Sequence, residues 1–165
     1  MTDTASSTPA LTPHLVCDGA ADAIDFYKRA FGAEELMRLP GPDGRLMHGA
    51  VRINGATVML TDENRPWGAL GPNTLGGSPI TLNLAVPDVD AAFERALGAG
   101  ATAVMPVADQ FWGDRYGIVR DPFGHSWALL TPIRTMTEAE LREAAAAMFT
   151  GCGAEAASHA EPVPA

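Results

Sequence analysis

Cysteine and lysine are both scarce in this chain: two cysteines, Cys17 and Cys152, occur in 165 residues, and ten of the eleven basic residues are arginine. So few cysteines supply neither a disulfide framework nor a zinc-cysteine site, and a reducing cytoplasm is the expected setting. Basic charge is short overall, with eleven Lys and Arg against twenty Asp and Glu, a formal net charge of −9. That balance argues against a nucleic-acid partner, because phosphate binding needs a clustered basic face. A cationic ligand would be tolerated or attracted, although net charge bears more on solubility than on specificity. No apolar run approaches the roughly 18–20 residues of a membrane span. The opening MTDTASSTPALT is polar and carries no basic-plus-apolar leader, so neither a membrane partner nor a targeting segment is expected. What is present is an ordinary globular composition, 47% hydrophobic and 19% charged. It fits one domain, or two small modules sharing a core.

The punctuation of the chain predicts its elements. After a flexible leader, 1–10, a strand-like run Leu11–Cys17 is broken by Asp18-Gly19. Apolar residues Ala20, Ala23, Ile24, Tyr27, Ala30 and Phe31 then recur at helical spacing, and Gly32 stands where a C-cap glycine belongs. A strand over 33–39 ends in the turn cluster Pro40-Gly41-Pro42-Asp43-Gly44. Runs 46–53 and 56–61 flank Asn54-Gly55, the strongest short hairpin signal, because both residues tolerate positive φ. A Gly/Pro/Asn-rich linker, 64–79, follows, with Trp67 and Leu70 as candidate anchors.

The order then begins again: strand 80–86, Asp88 as N-cap of a helix over 89–97, strand 101–107, and the stretch DQFWGDRYGIVRDPFGHSWALLT (Asp109–Thr131). That stretch is a loop, Phe111–Arg115, followed by a hairpin turning at Asp121-Pro122-Phe123-Gly124. Two βαβββ modules, 11–63 and 80–132, thus repeat at about 69 residues, the length of a duplicated module rather than of a solenoid unit. A helix over 133–150 is opened by Thr137 with Glu140 in capping-box spacing. An Ala/Gly/Pro-rich tail, 151–165, is expected to be disordered. The fold class is therefore α+β, with two curled mixed sheets around a cavity and a C-terminal helix.

This duplicated unit, with AIDFYKRAFGAEE early and DQFWGDRYGIVRDPFGHSWAL late, resembles the vicinal oxygen chelate superfamily of glyoxalases, bleomycin-resistance proteins and extradiol dioxygenases. MRLPGPDGRLMHG, TLGGSP and QFWGDR most resemble its PhnB-like branch. The resemblance spans roughly residues 11–149 and implies half-barrel modules, a ligand cavity and a homodimer. It also implies a divalent metal held by one first-strand ligand and one last-strand carboxylate per module. Here Met59 and Ala128 align with the carboxylate positions and Thr12 and Thr81 with the first-strand positions. Neither last strand contains Asp or Glu, so no cofactor is expected.

Strand alternation supplies the remaining site candidates. His14, His48 and Met59 are expected to face the first module's cavity, with the histidines as hydrogen-bonding or acid/base groups. Asn83, Ser126 and Ala128 should face the second, and a buried Asn83 would need a partner, in the protein or in a ligand. Arg115 either reaches the cavity mouth to bind an anionic or carbonyl group or pairs with Asp114 or Asp109. Trp112 is a stacking wall or core. His125 is expected to tie down its turn, Trp127 to be core, and Cys17 to be an inert thiol. The leading expectation is a metal-independent small-molecule-binding protein. The alternatives are a metal-dependent lyase, isomerase or dioxygenase using a rearranged site with His14 and His48, and a non-catalytic dimeric interaction module using helix 137–149.

Overall fold

A computed structural model describes residues 11–156, with side chains described through Met148. The leader 1–10 and residues 157–165 of the tail lie outside the described residues. Strand β1 (His14–Cys17), helix α1 (Ala20–Phe31) and strands β2 (Glu34–Pro40), β3 (Leu46–Ile53) and β4 (Ala56–Asp62) form the first module. The second comprises β5 (Thr81–Ala85), α3 (Val89–Ala99), β6 (Thr102–Asp109), β7 (Asp114–Arg120) and β8 (Ser126–Pro132). Each builds a four-stranded mixed sheet, ordered β1-β4-β3-β2 and β5-β8-β7-β6. The segment expected as a plain linker contains a 3-10 turn, Arg65–Trp67, and the short helix α2, Pro72–Leu75. Strand β7 starts at Asp114, so Arg115 stands in a strand rather than in the preceding loop. The last helix, α4, runs Glu138–Ala156, past its expected end near Phe149.

Local chemistry accounts for the boundaries. Asn54 and Gly55 both adopt positive φ, 44° and 83°, giving a two-residue hairpin turn with Ile53 opposite Ala56. Asp88 accepts from Ala91 N at 3.0 Å to open α3. Helix α1 has no such cap of its own. Asp62, at the far end of β4, instead accepts from Gly19 N and Ala20 N at 2.9 and 2.8 Å. Thr137 and Glu140 form a reciprocal capping box at the start of α4.

The two sheets share one core. In the first, Leu15, Cys17, Val51, Ile53, Val58 and Leu60 are buried in one cluster with the inner face of α1. Tyr27 and Phe31 of α1 reach the second sheet, with ring centroids 5.2 and 4.8 Å from Trp127. Arg95 of α3 donates to Ala30 O at 2.8 Å, tying α3 to the end of α1. A glycine at the same place in each repeat permits the close approach. A Cβ on Gly49 would come within 2.9 Å of Ile24, and one on Gly117 within 3.1 Å of Phe93. Their cross-strand partners are Leu60 and Leu129 respectively.

Candidate functional site

Among the described residues, α1 is the helix packed on the first sheet, and it covers one face. Across the opposite face Met37 pairs with Ala50 and Leu39 with His48, while Met59 pairs with both Ala50 and His14. These partners point the same way, because aligned residues on neighbouring strands share a face. The rings of His14 and His48 accordingly meet edge to face, with centroids 6.0 Å apart at 83°. Partial burial, then the charge His48 would carry, lowers the pKa of His14.

Beside His14 opens a groove of about 900 Å³. One wall is the β2–β3 turn, closed by Gly41 N on Arg45 O at 2.7 Å and contributing Asp43, Arg45 and Met47. The other wall is the loop after β4, pinched by a bridge between Asn64 and Ala69 and by Asn64 Oδ1 accepting from Trp67 N at 3.3 Å. That loop presents Arg65 and Trp67 to the groove. Trp67 was expected to anchor the linker; it is 84% exposed. Thr61 and Asp62 lie between the walls. Asp62 is committed to three backbone donors, Gly19, Ala20 and Leu46, the last at 2.5 Å.

A smaller cavity of about 230 Å³ lies where the modules meet, lined by Val16, Leu75, Ile80, Leu82 and His125, with His14 shared between it and the groove. Leu70, the other expected anchor, lines this cavity as well.

The second module arranges the same positions differently. Asn83 pairs with Ala128 and Thr81 with Ser126, one repeat along from His14 and Met59. Asn83 was expected to be a buried amide in need of a partner; it is exposed. Trp112 donates Nε1–H to Asp114 at 3.0 Å and packs edge-on against Phe111 and Tyr116, centroids 5.0 and 5.4 Å away. Arg115 is clamped by Asp90 at 2.6 and 2.7 Å and by Asp109 at 2.8 Å. Asp90, on α3, is a partner that sequence spacing did not suggest. Neither Trp112 nor Arg115 lines the groove or the smaller cavity.

The chemistry-bearing cluster of this module is interior. Asp121 is 4% exposed. Its Oδ1 accepts from Phe123 N and His125 N, both at 2.9 Å. Its Oδ2 accepts from Tyr27 Oη at 2.7 Å and Trp127 Nε1 at 3.0 Å. Burial, and then the Asp121 charge, hold the Tyr27 phenol protonated far above its ordinary range. His125 Nε2 lies 3.1 Å from Val16 O and 3.8 Å from the Cys17 thiol, so it ties the second module's turn to the first module's β1. Cys17 is fully buried, and desolvation pushes its pKa strongly upward, so little reactive thiolate forms.

The donor set does not fit the divalent metal that the resemblance implies. Thioether and methyl groups stand at Met59 and Ala128, with first-strand neighbours His14 and Asn83; β4, expected to be free of acids, runs on to Asp62, whose carboxylate is held by three backbone N–H groups. Among the described residues no group of three or more His, Cys, Asp or Glu is placed to hold a metal ion.

Three similarities place the chain among known proteins. Rv0887c of Mycobacterium tuberculosis (strain ATCC 25618 / H37Rv) is 55% identical over 146 residues, covering 87% of this chain and 86% of the relative. The crystal structure of TioX from Micromonospora sp. ML1 matches with 30% identity and a TM-score of 0.59, covering 74% of this chain and 97% of that one. The PhnB protein from Bacillus cereus shares the fold at 21% identity and a TM-score of 0.58, covering 74% of this chain and 98% of its own. The family model for the Glyoxalase/Bleomycin resistance protein/Dioxygenase superfamily matches residues 10–129. With that match over most of its length, the chain belongs to the glyoxalase/bleomycin resistance protein/dioxygenase superfamily.

Proposed function

We propose that the protein binds a small organic molecule in the first-module groove, without the superfamily's metal. The observation that carries this reading is the groove itself. It is concave, about 900 Å³, and sets Leu46, Met47 and Trp67 among convergent polar and charged groups, with His14, Thr61, Arg45 and Arg65 in that set. That combination characterises small-molecule sites. Trp67 supplies a flat wall, His14 and Thr61 supply hydrogen-bonding groups at the groove, and His48 supports His14 from behind. Met59 forms the sheet surface between the histidines. Asn83 and Ser126 are assigned a lesser part, on the second module's equivalent surface. Among the described residues lining the groove no nucleophile stands beside an activating base, and the reading includes no covalent step.

The same reading includes a homodimer. Met37 and Leu39, on the sheet face opposite α1, are each 50% exposed, and a second copy covering them would also enclose the histidine pair. The setting is cytoplasmic, consistent with the buried, unpaired thiol of Cys17.

The test is a calorimetric screen of protein stripped of metal by chelation, using neutral, anionic and cationic flat aromatic compounds. The reading expects binding that quenches tryptophan emission, with the quench abolished in Trp67→Phe and affinity reduced in His14→Ala. Binding that requires added metal, or that survives both substitutions unchanged, would contradict it.

A further inference from the structure

The groove brings two arginines, Arg45 and Arg65, onto one surface of a chain whose net charge is −9. Three carboxylates line it, Asp43, Asp62 and Glu63, and each already accepts from at least one backbone N–H. Asp62 accepts from three backbone N–H groups, two of them at the positive end of α1. Glu63 is 7% exposed and accepts from Gly71 N at 2.8 Å. Asp43 accepts from Arg45 N at 3.1 Å within its own turn.

The arginines facing the groove are the reverse. Arg65 makes only a long contact, 3.8 Å, with Glu63, and its side chain is 71% exposed. The Arg45 guanidinium, also exposed, has no hydrogen bond or ion pair within 4 Å among the described residues. Several arginines elsewhere are closed on carboxylates at short range, Arg38 on Asp25 and Glu35, Arg52 on Glu34, Arg115 on Asp90 and Asp109, while Arg134, which does not line the groove, contacts Met136 Sδ. Arg29 and Arg120 are exposed too, but neither lines the groove. Trp67 and Met47, 84% and 60% exposed, stand in the same groove.

We infer that the groove takes an organic anion, a carboxylate, sulfonate or phosphate carried on a flat apolar body. The body lies on Trp67 and Met47, and the anionic group is held by Arg45 and Arg65. Guanidinium forks match planar and tetrahedral oxyanions bidentately, and here the two forks make no carboxylate contact shorter than the 3.8 Å one from Arg65 to Glu63. A cation would meet Asp62 and Glu63 with backbone N–H groups already on them. The inference rests on the groove being the ligand site, and it opposes the cation preference that a net charge of −9 would suggest.

The experiment compares three probes of one ring system by calorimetry on the full chain: 2-naphthalenesulfonate, 2-naphthylmethylammonium and neutral 2-naphthol. The sulfonate is expected to bind at least about tenfold tighter than the ammonium, with affinity falling as sodium chloride rises. Arg45→Gln combined with Arg65→Gln should weaken the sulfonate about 10–100-fold, the scale of losing charge-assisted hydrogen bonds. It should leave 2-naphthol within about twofold, because the apolar contacts persist. Both side chains are exposed, so an unchanged melting temperature is expected, and the double Lys variant should retain part of the preference. Equal or tighter ammonium binding, with 2-naphthol still bound at Trp67, would overturn the anion assignment and leave the ligand site standing. Failure of all three probes to bind would overturn both.

Discussion

The two modules repeat one order of strands and helix but set their polar groups differently, at the surface in the first and in the interior in the second. In the first, the pair His14–Met59 lies on an open sheet face beside a groove, and its hairpin closes with the minimal Asn54-Gly55 turn. In the second, the equivalent pair is Asn83–Ala128, and the turn between Arg120 and Ser126 is longer. The added length lets Asp121 fold inward and collect four donors from three elements. Both modules supply the shared core; they differ in whether the polar groups of their last hairpin face out or in.

The comparison breaks most visibly at Asp121. Asp121→Ala strands Tyr27 Oη, Trp127 Nε1 and two backbone N–H groups. Urea unfolding should show a loss of about 3–5 kcal/mol, since each buried donor left without an acceptor costs about 1–3 kcal/mol before relaxation. Asn54→Ala, in the other hairpin, should cost about 1 kcal/mol for a non-glycine residue held at positive φ. A smaller loss at Asp121 than at Asn54 would refute the assignment of the interior role to the second module.

Where the modules are alike, their responses should match. Gly49→Ala and Gly117→Ala each push a methyl group into the opposing helix and should cost about 1–3 kcal/mol apiece. If one were neutral and the other severe, the two helix–sheet contacts would not be equivalent.

Much of this was legible in the sequence. The repeat, the Asn54-Gly55 turn, the Asp88 cap and the Thr137–Glu140 box are written in residues adjacent along the chain, and each is realised in the structure. Period-two alternation also sufficed to place His14 and His48 on a common face. What alternation could not show was which exposed residues a loop brings together. Trp67 and Arg65 belong to a segment that reads as linker, and Arg45 to a turn cluster, so neither carries a periodic signal. Their meeting depends on β4 ending beside the β2–β3 turn. Arg115 showed the opposite difficulty: its neighbours in sequence suggested Asp114 or Asp109, and helix α3 supplied Asp90 as well. The role of Asp121 was hidden because a turn motif reads the same whether its carboxylate faces water or core.

The surface role predicts a decoupling of stability from binding. Trp67→Ala should change unfolding free energy by no more than about 0.5 kcal/mol, as for an exposed residue away from caps and core, while weakening 2-naphthol about tenfold or more. Trp112→Ala should do the reverse, lowering stability and leaving the probe's affinity unchanged. Equal effects of the two substitutions on binding would erase the distinction between modules.

The smallest effect concerns protonation. Because burial and His48 lower the pKa of His14, the unfolded chain binds its proton more readily than the folded one. Stability therefore rises with pH wherever the two differ, and this contribution is lost as pH falls below the ordinary histidine value of about 6.5. Proton NMR titration should find His14 titrating below the ordinary histidine value and moving upward in His48→Asn. An unchanged His14 midpoint in that variant would show that the rings are not coupled.

The central claim, that the first module is the ligand-bearing one, is most directly tested by titrating 2-naphthalenesulfonate into ¹⁵N-labelled protein. The account predicts chemical-shift changes concentrated at residues 45–48 and 61–67 and at His14. Changes centred instead on Asn83, Ile118 and Ser126, or on Trp112 and Arg115, would contradict it.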